Sequence, residues 1–367
     1  MPLIQDIFRQ YGGDYLEKYK DNMPARHKKA LLAIINCRSR SLGGEVYFCR
    51  KCREYHFSYH SCGSRHCAVC GNDEAAEWIS KNKNLMLPFT YFLASFTVPE
   101  ELRDVCRSNQ KLFYNILFRA SADSLKTLAK DEKYLGAEIG MTGILHTWTR
   151  ALIYHPHLHY LVPGGGIGKD GRSIRFSDDD FLMHVKPLSK IFRAKFRDAL
   201  KKQSPENFEK IPADTWKRDW VVHIKPAGDG EKALEYMGRY LFRTAISNNR
   251  IIKLQNDKVT FRYTDSKTGK TKIVTLDALE FIRRFLQHVL PKGFQKVRYY
   301  GFLAAAARKR LSRLRKMLWL DSVSESKPRQ LPKPLLCPVC GSVLEWIEHL
   351  PRARPGQRRR RPRDHGP

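Results

Sequence analysis

The sequence predicts an α+β fold: an antiparallel sheet flanked by helices, with a small metal-binding domain at the N-terminus. Three observations carry this. Six of the nine cysteines fall within the first 80 residues. Residues from about 85 to 320 alternate strand-like and helix-like patterns. The strand-like runs also lie close enough in sequence to pair antiparallel, which short connections permit.

The elements follow in order. "YFLASFTVP" reads as a strand ended by Pro99, because proline cannot donate to a ladder. "EELRDVCRSNQKLFYNILFRASADSLKTLAK" has helical periodicity. "EIGMTGILHTWTR" and "HLHYLVPGG" are two strands that suit a hairpin, and "FLMHVKPLSKIFRAKFRDALKK" is mostly helix. "DWVVHIKP" is a further strand. "GDGEKALEYMGRYLFRTA" is a helix, with Asp229 as its expected N-cap. "ARKRLSRLRKMLW" is a basic amphipathic helix. Composition divides the chain into a cysteine-rich domain (1–82), a mixed α/β domain (83–320) and a basic, largely disordered tail (321–367) ending in "RARPGQRRRRPRDHGP".

The net charge is +30, from 67 Lys+Arg against 37 Asp+Glu. Such self-repulsion is relieved by a polyanion, and nucleic acid is the expected partner. The longest apolar run, "YFLASFTV", is strand-sized, and no signal peptide or membrane span is read. A cytoplasmic, nucleoid-associated protein is therefore expected, in which cysteines serve metal binding rather than disulfides.

Cys49-x-x-Cys52 and Cys67-x-x-Cys70 are separated by 14 residues. Two such pairs form two knuckles, and their four thiolates can surround one structural zinc. Cys37, Cys62 and His66 remain for a second site, with His56 or His60 as a further ligand. Cys337-Pro-Val-Cys340 is a knuckle without an obvious second pair, and no ordered site is expected there.

His157 and His159 flank Leu158, so a strand projects both imidazoles to one face. Together they can hold one divalent cation beside a phosphate oxygen. His155 falls on the same face, with Pro156 a potential bend, and Gly164 to Gly166 allow a tight turn or close approach by a ligand. Tyr236 and Tyr240 are four apart on a helix, hence on one face, with Arg239 and Arg243 beside them to suit a phosphate. A tyrosine hydroxyl can attack a phosphodiester and retain the strand as a phosphotyrosine. Further along, Arg283, Arg284, Lys292, Lys296 and Arg298 interleave with Tyr299 and Tyr300, a pattern suited to single-stranded DNA.

A His-hydrophobe-His strand followed by Tyr-x-x-x-Tyr on a helix resembles the HUH endonucleases. More narrowly, the chain resembles the rolling-circle insertion-sequence transposases of the IS-ninety-one group. The resemblance runs from about residue 30 to 303, through "CRKC", "SCGSRHCAVC", "LHTWTRALIYHPHLHYLVPGGG", "YMGRYLFRTAISNNRI" and "EFIRRFLQHVLPKGFQKVRYYG". It implies an HUH-type sheet, His157 and His159 as ligands of Mg²⁺ or Mn²⁺, and Tyr240 and Tyr236 as nucleophiles. The motif does not fix a third ligand; His146, His155 and a helix side chain near the tyrosines are the candidates. It implies nicking and joining of single-stranded or hairpin element ends through a 5′-phosphotyrosine. The oligomeric state stays open. The alternatives are an HUH replication initiator or relaxase, and a zinc-containing DNA-binding protein without chemistry. The chain departs from the family pattern at Glu45, where many relatives carry His, and in its arginine-rich tail.

Overall fold

A computed structural model describes residues 3–241, 245–265, 268–320 and 334–353, without the side chains of residues 71–74, 239 and 240. The helices and strands begin with α1 (Ile4–Tyr19), α2 (Ala25–Asn36), β1 (Gly44–Cys49), β2 (Glu54–Tyr59), α3 (Gly71–Lys83) and β3 (Tyr91–Thr97). Next come α4 (Arg103–Ser108), α5 (Gln110–Ala129), β4 (Ala137–Glu138), β5 (Met141–Trp148), β6 (Tyr154–Pro163), β7 (Gly165–Gly168) and β8 (Ile174–Phe176). They are followed by α6 (Val185–Gln203), α7 (Pro205–Glu209), β9 (Val222–Pro226), α8 (Glu231–Leu241), β10 (Ile251–Gln255), β11 (Lys258–Thr264) and β12 (Thr271–Asp277). The last are α9 (Ala278–Leu286), β13 (Val297–Tyr300), α10 (Arg308–Met317) and β14 (Glu345–Leu350).

The central sheet has five antiparallel strands in the order β13-β5-β6-β3-β9. Alternation sorts its residues onto two faces. Phe92, Ala94, Phe96, Leu145, Leu158 and Tyr160 point to one side, where α5 and α6 close a large core. Phe96 is edge-on to both Phe192 (5.0 Å) and Tyr160 (5.7 Å). The other side carries Ser95, Thr97, His146, His157 and His159, placed by the pairs Ser95↔His159, Thr97↔His157 and His146↔His157. Helix α8 packs there through buried Leu234 and Met237. The predicted α+β class and antiparallel sheet flanked by helices are thus found.

A second core joins α1 and α2 to α9 and the β10-β11-β12 sheet, with Phe8 edge-on to Phe285 at 5.0 Å. The triple glycine serves this chain's own packing. A Cβ at Gly165 would strike the Phe89 ring, and one at Gly166 would strike the Glu138 carbonyl.

The expectation of a disordered tail is corrected over residues 334–353. There β14 pairs antiparallel with β1, making a three-stranded sheet β14-β1-β2. Residues 321–333 and 354–367 lie outside the described residues.

Candidate functional site

The histidine strand explains itself through pairing. His157 and His159 are two apart on β6, and His146 sits directly opposite His157 on β5. One ligand nitrogen from each lies within 4.8 Å of the others. His155 lies beyond this trio, its ring 5.2 Å from that of His157. The His157 Nδ1–H donates to the His155 carbonyl at 2.7 Å, which leaves Nε2 with its lone pair.

Burial pushes all these imidazoles towards the neutral form, His159 to about 3 and His155 to about 4, with His146 and His157 also lowered. Neutral imidazoles are what a cation requires as ligands. The His159 Nδ1 is buried with no hydrogen-bond partner among the described residues. A buried polar atom without a partner is costly, so this donor set fits a divalent ion.

The three histidines line a cleft of about 630 Å³, whose walls include Arg150, Arg250, Tyr263 and Tyr236. Asp229 accepts a hydrogen bond from the Glu231 N–H at the start of α8, and the helix then carries Tyr236 to the cleft. The Tyr236 ring is 6.3 Å from that of His159 and nearly perpendicular to it. Tyr240 follows one turn later on α8. Its side chain and that of Arg239 lie outside the described residues, as does Arg243 entirely. The end of α8 is tied down by Lys296, whose Nζ donates to the Leu241 carbonyl at 2.8 Å and sits 4.9 Å over the Trp148 ring. Burial pushes this ammonium down to about 7. Lys296 therefore braces the helix, a role its place in a basic run concealed.

The other predicted phosphate contacts are dispersed. Arg298 is corrected: it occupies the opposite face of the sheet, over Phe118 at 4.3 Å and Phe294 at 5.2 Å, with Asn115 as hydrogen-bond partner. Arg283 and Arg284 lie on α9 and both pair with Glu280, at 2.6 and 2.7 Å. Neither lines the histidine cleft. Lys292 is exposed in the loop after α9.

The cysteines regroup. Cys49, Cys52, Cys67 and Cys70 do not share one site. Cys67 and Cys70 cluster with Cys37 and Cys62, and Cys49 and Cys52 cluster with Cys337 and Cys340. The cause is the sheet: β1 and β2 form a hairpin whose tip carries Cys49 and Cys52 away from its base, where Cys37 and Cys62 lie. His66 joins neither cluster and instead approaches Arg65, at 3.4 Å. In the first cluster Cys37 and Cys62 stand 3.4 and 3.6 Å from Cys70. Such spacings far exceed a disulfide bond, and four close thiols suit a tetrahedral zinc. Glu45, the departure from the family pattern, accepts hydrogen bonds from Trp346 (2.7 Å) and His349 (2.9 Å) and so binds β14 to β1.

Comparison with known proteins agrees with this architecture. A family model described as "Putative transposase" matches residues 140–310, and one described as "Transposase zinc-binding domain" matches residues 7–98. The chain is 38% identical over 351 residues to "Putative transposase y4qJ" of Sinorhizobium fredii, covering 90% of this chain and 88% of that one. It is 29% identical over 292 residues to the "Transposase for insertion sequence element IS801" of Pseudomonas savastanoi pv. phaseolicola, covering 74% and 68%. No solved structure gives a significant match. No described helix is long and apolar enough to cross a membrane.

Proposed function

The chain belongs to the IS91 family of insertion-sequence transposases, and from that premise we propose that it nicks and joins single-stranded DNA at its element's ends through a 5′-phosphotyrosine. The observation that carries this reading is the convergence of His146, His157 and His159 with Tyr236 in one cleft. Residues 83–320 would do the cutting, and the zinc-binding domain before them would grip the DNA.

His146, His157 and His159 would hold Mg²⁺ or Mn²⁺, which when bound supplies positive charge to a phosphate oxygen. Arg150 and Arg250 on the wall add positive charge where a DNA backbone would enter. The tyrosine Oη forms a bond to phosphorus as the bond to the 3′ oxygen breaks. The phenol proton leaves to solvent and the 3′ oxygen takes one up. The phosphodiester energy is retained in the phosphotyrosine, so a free 3′ hydroxyl can reverse the step and join a new strand. Two tyrosines one turn apart would allow two strands to be held in turn.

Labelled single-stranded DNA from the element ends, incubated with the protein and Mg²⁺ or Mn²⁺, should yield an adduct that survives SDS. The Tyr236→Phe, Tyr240→Phe double variant should yield none, and each single variant should show which phenol acts first. A wild-type protein that binds the DNA yet forms no adduct with any divalent ion would favour the non-catalytic DNA-binding alternative.

A further inference from the structure

The zinc-binding match ends at residue 98, yet half of one thiol cluster comes from Cys337 and Cys340, more than two hundred residues later. We propose that Cys49, Cys52, Cys337 and Cys340 form a second structural zinc site, which staples the C-terminal segment 334–353 onto the N-terminal domain. This goes beyond the DNA chemistry proposed above and does not depend on it.

The donor set fits the ion. The Sγ atoms of Cys49 and Cys340 are 3.5 Å apart and those of Cys52 and Cys337 are 3.9 Å apart. A tetrahedral zinc with Zn–S bonds near 2.3 Å sets its sulfurs about 3.8 Å apart. All four cysteines are free of disulfides.

The two halves also share a backbone form. In the first knuckle the Arg53 N–H donates to the Cys49 carbonyl at 2.7 Å, with Arg53 at φ 57°. In the second, the Gly341 N–H donates to the Cys337 carbonyl at 2.9 Å, with Gly341 at φ 72°. Each turn therefore places the residue after its second cysteine in the left-handed region. Arg53 adopts it at a steric cost that a glycine would not meet. His56 Nε2 lies 3.4 Å from Cys337 Sγ, placed to donate to a thiolate and tune it, as neighbours of metal ligands do.

Around the cluster the segment is held by weaker ties. β14 pairs with β1, Arg50 reaches Glu345 at 2.8 Å, and Glu45 takes Trp346 and His349. These contacts are exposed, and exposed ion pairs contribute little. Apolar burial is also thin: Trp346 and Ile347 remain 59% and 44% exposed. A strand with so little core depends on a metal to stay docked, as small metal-held modules do.

The test is a zinc count on the purified full-length protein, with cobalt substitution as a second readout. Wild type should hold two zinc ions per chain. Cys337→Ser, Cys340→Ser should hold one, lose half of the cobalt-thiolate absorption, and become susceptible to protease between residues 334 and 353. Cys62→Ser, Cys70→Ser should also hold one zinc while keeping that segment protected. A wild-type count of one, a Cys337/Cys340 variant that still holds two, or iron in place of zinc would overturn the proposal. Should a variant fail to fold, the cobalt-thiolate absorption of the wild type decides, because the histidine cluster contributes no thiolate band: intensity for two four-thiolate sites supports the proposal and intensity for one overturns it.

Discussion

His146 and His155 illustrate how a single residue acquires its role. Both are near His157 in sequence or in space, and burial holds both towards neutral. Only His146 stands across the ladder from His157 with its nitrogen among the cluster, whereas His155 contributes its backbone carbonyl to orient His157. His146→Ala should therefore cut adduct formation by roughly 100-fold or more, as loss of one charge-stabilising group does. His155→Ala keeps the carbonyl and should cost less than about tenfold, below the loss typical of an orienting side chain. Initial rates on the same DNA would compare them, and the reverse ranking would exchange their roles. Arg298 teaches the complementary point: a cation in a basic run can spend its charge on aromatic rings of the core instead of on a phosphate.

At the scale of elements, helix α8 is legible because its apolar residues and its tyrosines fall on separate stripes. Leu234 and Met237 enter the core while Tyr236 turns to the cleft. The knuckle turns are equally local, since Cys-x-x-Cys followed by a left-handed residue is a complete short-range unit. Arg53→Gly should stabilise the zinc-loaded protein by about 0.5–1 kcal/mol, because glycine adopts positive φ without steric cost. A lowered melting temperature for that variant would mean the Arg53 side chain contributes more than its backbone strain removes. The sheet core responds in the usual sense: Phe96→Ala, which empties contacts to Phe192 and Tyr160, should cost about 3–5 kcal/mol in denaturant unfolding.

For the whole molecule, buried imidazoles make stability depend on pH. His27, His66, His155, His159 and His288 are all lowered from 6.5, to about 3 or 4, mainly by desolvation. The unfolded chain therefore binds protons that the fold refuses, so stability is full above pH 6.5 and declines as pH falls from 6.5 towards about 3. Thiolate clusters act in the same sense, because acid must reprotonate them. Melting temperature at fixed ionic strength should fall steadily through that window, and a flat profile would contradict the burial. The sequence by itself determined the α+β class, the strand that aligns His157 with His159, the helix that carries both tyrosines, and the cysteine knuckles, because each depends on a period of two to four residues. Tertiary structure alone decided which knuckles meet, which histidine completes the trio, and on which side of the sheet each arginine falls. Those choices depend on strand pairing and register, and a thiol or imidazole carries no local signal of the partner set opposite it, whether that partner is on the adjacent strand, as His146 is for His157, or on a segment far along the chain, as Cys337 is for Cys52.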